Sequence, residues 1–182
     1  MSFFIGILPP LSVTNEIDIF RKKWNYTGNS IPHIKVKAQS GLTDSERWIP
    51  KIKAICHAFP AFDLKLGPPA AFGSNILFTS VLSKEVITLH LLLVDAIKPT
   101  YDEQKSYFEV TDYIPHLTLA EKSDSLNELE FVEMKRDAFD SLMHFEPFTV
   151  QSIHLFSLNN SRSYTPVLEL PLRPLRSVKV LS

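Results

Sequence analysis

The chain has 182 residues, of which 45% are apolar and 21% are charged, and its formal net charge is −1 at pH 7. This length and apolar content predict one folded domain, or two small lobes that share an interface, and exclude an intrinsically disordered chain. The near-neutral charge argues against an extended nucleic-acid surface, because such surfaces carry a basic surplus. A few lysines around one cleft are still compatible with a small phosphate site.

Cysteine usage and the apolar segments bear on cellular location. The single cysteine, Cys56, cannot form an internal disulfide, and we interpret it as a core residue. The first ten residues lack the basic segment of a signal peptide. The longest apolar run, 86–97, contains His90 and Asp95 and is too short to span a bilayer. We therefore expect a cytoplasmic, monomeric protein without a membrane partner.

The first half of the chain predicts three strands and two helices. Short runs rich in β-branched and aromatic residues give strands at 3–8, 33–37 and 62–66. Apolar residues at i, i+4 and i+7, beginning with Val13, predict the first helix. Thr43 or Asp44 can cap the second helix if Pro50 lies in its first turns, and otherwise the helix starts later. Residues 67–73 are interpreted as a connection to the second half.

The second half predicts four strands and two helices. The strands are expected at 75–81, 116–120, 148–158 and 165–170. Ser83 resembles the N-cap of a helix that runs to residue 97, although the β-branched residues there would also suit a strand. Ser125 heads the last helix, in which the residues expected in register on one face are Leu126, Leu129, Val132 or Glu133, Arg136 and Phe139.

Two similar segments lie about half a chain apart. Ile31-Pro32-His33-Ile34-Lys35-Val36 and Ile114-Pro115-His116-Leu117-Thr118-Leu119 are each preceded by a strand and a helix and followed by a helix and a strand. This order predicts two related α+β lobes that face each other. The first lobe is expected mainly in 1–72 and the second in 73–172, with terminal strands free to cross between them and a tail at 173–182.

The repeated segments bring together residues suited to phosphate chemistry. Residues two apart in a strand point to the same face, so His33 projects with Lys35 and His116 with Thr118. If the lobes are related by a pseudo-twofold axis, both histidines line one cleft. A neutral imidazole can then take a proton from water while an imidazolium donates one to the leaving oxygen. Lys35 and Thr118 would hold the phosphate oxygens, and the scheme requires no metal or cofactor.

The other candidate features are weaker. The remaining histidines lack the His-x-x-x-His spacing of a metal site. Phe72 and Tyr113 are candidates for stacking on a nucleobase, although packing in the core is an alternative for both. The basic cluster 21–23 is most simply a helix C-terminus favoured by the helix dipole.

The paired histidine motifs resemble those of the two-histidine (2H) phosphoesterase superfamily, which includes 2′-5′ RNA ligase-like proteins and cyclic nucleotide phosphodiesterases. The resemblance extends from the opening strand at 3–7 to the closing strand at 164–170. It implies a bilobal α+β fold, with a mainly antiparallel sheet and two helices in each lobe and a central cleft. It also implies hydrolysis of 2′,3′-cyclic phosphates or 2′-5′ linkages of RNA or nucleotides, with reversible 2′-5′ ligation in some relatives.

One position departs from the pattern of this superfamily. The second motif, with His116 and Thr118, matches fully, but Lys35 stands where the superfamily has threonine or serine. Lysine can bind phosphate, but its charge also disfavours the protonated form of His33. The alternative is therefore a protein of the same fold that binds nucleotides or RNA ends with altered or lost turnover. A third hypothesis is an interaction scaffold in which the repeat is only structural.

Overall fold

A computed structural model describes residues 2–26, 28, 30–122, 126–160 and 163–175 of the chain. Within these residues, eight strands form one antiparallel sheet in the order β6-β3-β4-β5-β2-β1-β7-β8. The strands are β1 (Phe3–Ile7), β2 (Ile34–Lys37), β3 (Phe62–Phe72), β4 (Ile76–Leu82), β5 (His116–Glu121), β6 (Phe148–Val150), β7 (Ser152–Leu158) and β8 (Tyr164–Pro171). The helices are α1 (Leu11–Lys23), α2 (Ile49–Ala58), α3 (Lys84–Ile97), α4 (Tyr101–Ser106) and α5 (Glu128–Ser141).

The sheet consists of two four-stranded halves that meet at β2 and β5. Only one residue pair, Ile34 opposite Leu117, joins these two strands in the described ladder. Helices α2 and α3 pack on the half that contains β2 and β8, and α1 and α5 pack on the half that contains β5 and β3. The α+β fold with two antiparallel lobes of two helices each is therefore confirmed, while the boundary at residue 72 stays a prediction.

The first helices start close to where the sequence predicts them. Helix α1 buries Val13, Ile17 and Phe20, which form the predicted stripe. Helix α2 starts at Ile49 with proline in its first turn, so the predicted later start is correct. The Ser83 side chain caps α3 by accepting a hydrogen bond from the Val86 amide. This confirms a helix where a strand was the alternative.

The predicted apolar face of the last helix is wrong. The predicted helix start, Ser125, lies outside the described residues, and α5 begins after Asn127, which forms a capping box with Glu130. Leu129 and Val132 are 77% and 60% exposed. The buried face contains Phe131, Met134 and Ala138 instead. These residues form a competing stripe at i, i+3 and i+7, which packs α5 on β3.

The predicted strand at 148–158 is two strands. Residues 148–150 form β6, which pairs with β3 at one edge of the sheet, and residues 152–158 form β7, which pairs with β1 and β8. The buried residues Val150 and Ile153 are three apart, which breaks the two-residue period of a single strand. The chain therefore crosses from one half of the sheet to the other at Gln151.

The segment 67–73 is also more regular than predicted. It continues β3 as far as Phe72 and pairs with β4, with an irregular register between Leu66 and Pro69. Prolines are tolerated in a strand where a bulge removes ladder hydrogen bonds. Helix α4 and the short 3₁₀ turn at Val110–Asp112 were not predicted. None of the helices in the described part of the chain is long and apolar enough to cross a membrane.

Candidate active site

A pocket of about 220 Å³ lies where β2 meets β5 at the centre of the sheet. Its lining includes all four residues that the repeat predicts: His33 and Lys35 from the first motif, and His116 and Thr118 from the second. The core-facing residues between them, Ile34 and Leu117 among them, are fully buried. The alternation of strand residues therefore directs the polar side chains of both motifs into one pocket.

The two imidazoles are held in the same way. The Nδ1 of His33 lies 2.8 Å from the carbonyl oxygen of Ile31, and the Nδ1 of His116 lies 2.7 Å from that of Ile114. A carbonyl oxygen only accepts, so each Nδ1 carries the proton and donates. In the neutral ring this leaves the lone pair on Nε2, the atom that can take a proton from a substrate or water.

Stacked phenylalanine rings support His33. The ring of Phe4 stacks on the imidazole at 4.6 Å between centroids, and Phe156 stacks on Phe4 at 4.4 Å. The strand next to His33 leaves room for these rings because residue 6 is glycine. A Cβ on Gly6 would lie 3.2 Å from the Phe4 ring and 2.9 Å from the carbonyl oxygen of Ile34.

A second phenylalanine pair lies against His116. Phe72 and Phe78 stack at 4.2 Å, and their ring centroids lie 5.1 and 5.3 Å from that of His116. The sequence makes Phe72 a candidate for stacking on a nucleobase, and that role stays a prediction. What the structure adds is its edge contact with the imidazole, which helps to fix the ring plane of His116.

The electrostatic environment favours the neutral form of both imidazoles. Burial, together with the charges of Lys35 and Arg21, lowers the pKa of His33 to about 4, against the opposing effect of the Ile31 carbonyl. Burial and the charge of Lys35 also lower the pKa of His116. The charge of Lys35 therefore acts on the imidazoles of both motifs.

The two predicted phosphate-holding residues differ in character. The Nζ of Lys35 lies 5.2 Å from the centre of the Phe4 ring, which allows a cation–π interaction. Burial lowers the pKa of Lys35, and the carboxylate of Glu121 acts against this shift. Thr118 offers a half-buried hydroxyl from the opposite strand. An anion in the pocket would therefore meet one ammonium and one neutral donor.

Arg21 is a site residue that the sequence reasoning missed. It lies in the last turn of α1, as the sequence predicts, but it is only 7% exposed, so its place at a helix C-terminus is not its whole role. Its guanidinium donates to the carbonyl oxygens of Leu119 at 2.8 Å, Thr118 at 3.0 Å and Ser30 at 2.8 Å. The signal was its spacing, because Arg21 continues the buried stripe four residues after Ile17.

Further pocket residues were also not predicted. They are Tyr26 after α1, Glu121 at the end of β5 and Tyr164 at the start of β8. The Tyr164 hydroxyl lies 2.7 Å from that of Ser2 and accepts from Gln39. No motif marks these residues in the sequence, since each reaches the pocket only through the packing of a different element.

Tyr113, the other candidate for stacking on a base, packs against the core. Its ring stacks on His90 at 3.8 Å, and its hydroxyl donates to the carbonyl oxygen of Lys35 at 2.8 Å. A role in stacking on a base stays a prediction. As for metals, no three His, Cys, Asp or Glu side chains are grouped as ligands in the ranges that the structure describes.

The fold is similar to that of several solved structures. The protein TT0787 of Thermus thermophilus superposes with a TM-score of 0.70 at 14% identity, covering 97% of this chain and 100% of that one. Escherichia coli LigT complexed with 3′-AMP gives 0.61 at 15% identity, covering 94% and 98%. LigT complexed with phosphate gives 0.59 at 15% identity, covering 94% and 97%. The chain thus has the fold of these proteins.

The sequence itself assigns the family. The sequence model of the 2′-5′ RNA ligase superfamily matches residues 9–162, which include both histidine motifs and most of the sheet. Among curated proteins, none matches the chain. The chain belongs to the 2′-5′ RNA ligase superfamily.

Proposed function

We propose that the protein is a phosphodiesterase that hydrolyses 2′,3′-cyclic phosphates or 2′-5′ linkages of RNA or nucleotides. One observation carries this proposal: two imidazoles from a sequence repeat, each held by an Nδ1 hydrogen bond, line the same pocket with an ammonium and a hydroxyl. Membership of the 2′-5′ RNA ligase superfamily supports it. In 2′-5′ ligation, a 5′-hydroxyl would replace water as the nucleophile on a 2′,3′-cyclic phosphate, and the 3′-oxygen would leave as the new bond to phosphorus forms.

The reaction needs one imidazole as a base and the other as an acid. Nε2 of the base takes a proton from water as the water oxygen attacks phosphorus, and Nε2–H of the acid protonates the leaving sugar oxygen as its bond to phosphorus breaks. The products are a phosphomonoester and a free hydroxyl. The pKa of about 4 at His33 favours this residue as the base and leaves His116 as the acid. A bound phosphate anion would favour the imidazolium form of His116.

Lys35 and Thr118 would bind the non-bridging oxygens and stabilise the charge that develops on phosphorus. The pocket volume of about 220 Å³ lies below the roughly 300–1,000 Å³ typical of sites for drug-sized ligands. This size suits a phosphate and its sugar better than a longer stretch of polymer. The complexes of E. coli LigT with phosphate and with 3′-AMP support a nucleotide or an RNA end as the partner.

The test is hydrolysis of 2′,3′-cyclic nucleotides in the presence of a chelator. The wild-type chain is expected to release a nucleoside monophosphate, and His116→Ala is expected to reduce the rate by about 10²- to 10⁴-fold. The exposed histidine of α2 provides a matched control, since His57→Ala should leave the rate unchanged. Full activity in His116→Ala would overturn the proposal.

A specific observation also favours the binding-only alternative. The charge of Lys35 lowers the pKa of both imidazoles, so it disfavours the imidazolium that the acid step needs. If turnover has been lost, the wild-type chain binds cyclic nucleotides without product, and Lys35→Thr gains activity. If neither phosphate nor nucleotide raises the melting temperature, the scaffold hypothesis is favoured instead, because ligand binding to the native state must stabilise it.

A further inference from the structure

The two motif strands have matching irregularities. The register between β1 and β2 passes from Lys37 to Lys35 and skips Val36. The register between β4 and β5 passes from Ala120 to Thr118 and skips Leu119. A β-bulge of this kind leaves one residue outside the ladder and redirects the side chains near it. Val36 and Leu119 occupy the same position in the two motifs, three residues after the histidine.

Side chains from the other repeat donate hydrogen bonds to the carbonyl oxygens of the two bulged residues. Nδ1–H of His90, on α3, donates to the carbonyl oxygen of Val36 at 2.7 Å. Nε–H of Arg21, on α1, donates to that of Leu119 at 2.8 Å. The carbonyl oxygens one residue earlier also accept side-chain hydrogen bonds. The Tyr113 hydroxyl donates to that of Lys35, and the Arg21 guanidinium donates to that of Thr118. Each repeat thus supplies donors to the motif strand of the other.

Arg21 and His90 also form hydrogen bonds with the segment that precedes the motif histidine of their own repeat. Arg21 donates to the carbonyl oxygen of Ser30, three residues before His33. His90 accepts the Val110 amide at Nε2, six residues before His116. The Val110 contact requires the tautomer with the proton on Nδ1, which agrees with donation to Val36. Both side-chain groups therefore bridge the two motifs, which share only one pair in the backbone ladder of the described residues.

We propose that Arg21 on one side, and His90 with Tyr113 on the other, are positioning residues that set the separation of His33 and His116. We call these two groups the Arg21 brace and the His90–Tyr113 brace. The inference rests on the proposed function for its catalytic readout. Since acid–base catalysis requires both imidazoles within reach of one phosphate, a small change in their separation lowers kcat more than it lowers nucleotide affinity.

The experiment compares conservative variants that remove a brace contact but keep its bulk or charge. Tyr113→Phe keeps the ring on His90 and deletes the donor to Lys35. Arg21→Lys keeps the charge and loses the planar fork that reaches three carbonyls. Matched controls are Tyr101→Phe and Arg47→Lys, because these parent residues are exposed on the surface.

The first readout is the kcat and KM for a 2′,3′-cyclic nucleotide. A single hydrogen bond contributes about 0.5–1.5 kcal/mol, so Tyr113→Phe is expected to lower kcat by about 2- to 10-fold with little change in KM. Arg21→Lys is expected to have the larger effect, since three carbonyls are involved. The controls should match the wild-type chain.

The second readout does not require turnover, so it tests the positioning role independently of the proposed function. The imidazole proton signals of His33 and His116 are followed by NMR from pH 3 to 8. Because the charge of His116 contributes to the lowered pKa of His33, a changed separation shifts the His33 titration in Tyr113→Phe, a variant in which no charged group is replaced. Titrations and kcat that match those of the controls, with only a lower melting temperature, would mean a purely structural role and overturn the proposal. If the wild-type chain has no turnover, the NMR result alone decides it.

Discussion

The two motif strands share a geometry and differ in charge. Each histidine donates to the carbonyl two residues before it, contacts a stacked phenylalanine pair and lies three residues before a bulge. The first strand carries Lys35 and is braced by uncharged His90 and Tyr113, whereas the second carries Thr118 and is braced by cationic Arg21. The comparison indicates that both strands maintain the position of their imidazole. The charges around the two rings differ, because Lys35 and Arg21 both lower the pKa of His33, whereas Lys35 lowers that of His116.

The largest expected effect tests whether the two strands act as one unit. His33→Ala and His116→Ala are each expected to lower kcat by about 10²- to 10⁴-fold, because each removes one proton transfer. Residues that act together have non-additive effects, so the double variant should be little slower than the slower single variant. Steady-state kinetics on a 2′,3′-cyclic nucleotide give the kcat of the two single variants and of the double variant. Effects that multiply would indicate that the strands work independently.

The pH dependence of stability separates the two histidines. His33 has a pKa of about 4 in the folded chain and about 6.5 unfolded, so the unfolded state binds more protons between these values. Stability from this group is therefore complete above pH 6.5 and is lost as the pH falls toward 4, by up to about 3 kcal/mol. Urea unfolding at pH 7 and pH 4.5 measures the loss.

His33→Gln should reduce the difference in unfolding free energy between these two pH values. His116→Gln provides the comparison, because burial and the charge of Lys35 also lower the pKa of His116, and we expect a smaller effect from this ring. An unchanged pH dependence in His33→Gln would contradict the assignment of His33 as a half-buried imidazole that stays neutral in the folded chain.

Substitutions at Gly6 and Ser80 test how the phenylalanine pairs support the imidazoles. Gly6 lies two residues after the phenylalanine of β1 that contacts His33, and Ser80 lies two residues after the phenylalanine of β4 that contacts His116. A methyl group on Gly6 would lie 2.9 Å from the Ile34 carbonyl oxygen and 3.2 Å from the Phe4 ring. Gly6→Ala is therefore expected to cost about 1–3 kcal/mol in stability and to displace the ring under His33. Ser80→Ala loses only a contact to Pro68 and should be nearly neutral. Equal melting temperatures in the two variants would contradict the packing argument.

The smallest expected change concerns the charge of Lys35. Lys35→Met keeps most of the side-chain length and removes the charge, so the pKa of both histidines should rise and the acidic limb of the pH–rate profile should move to higher pH. Phosphate affinity should fall at the same time. Lys65→Met, at an exposed position of β3, is the control. A profile that does not move would mean that Lys35 lies too far from both rings to act on them.

Much of the site was predictable because strand alternation and an internal repeat are local signals. Once His33 and His116 were matched, the alternation assigned Lys35 and Thr118 to the same faces, and the structure brings all four side chains into one pocket. Their catalytic and binding roles stay predictions. The α+β fold followed from the same repeat, since each copy carries a strand, a helix and a strand in the same order.

The errors arose where local patterns compete or where packing decides. Two apolar stripes run along α5, and only contact with β3 selects Phe131 and Met134 over Leu129. Arg21 lies on a buried stripe, but its place in a basic cluster indicated only a helix C-terminus. The bulges at Val36 and Leu119 leave no mark in hydrophobic periodicity, because both residues are apolar and remain buried. Such features depend on the register between strands distant in sequence.

The most direct test of two imidazoles acting on one phosphate is a titration with inorganic phosphate followed by NMR. The proton signals of the His33 and His116 rings are recorded at constant pH, and each histidine-to-alanine variant assigns its own signal. We expect both signals to shift along the same saturation curve with one Kd, because one anion contacts both rings. A shift of one ring alone, or two different Kd values, would contradict the shared site.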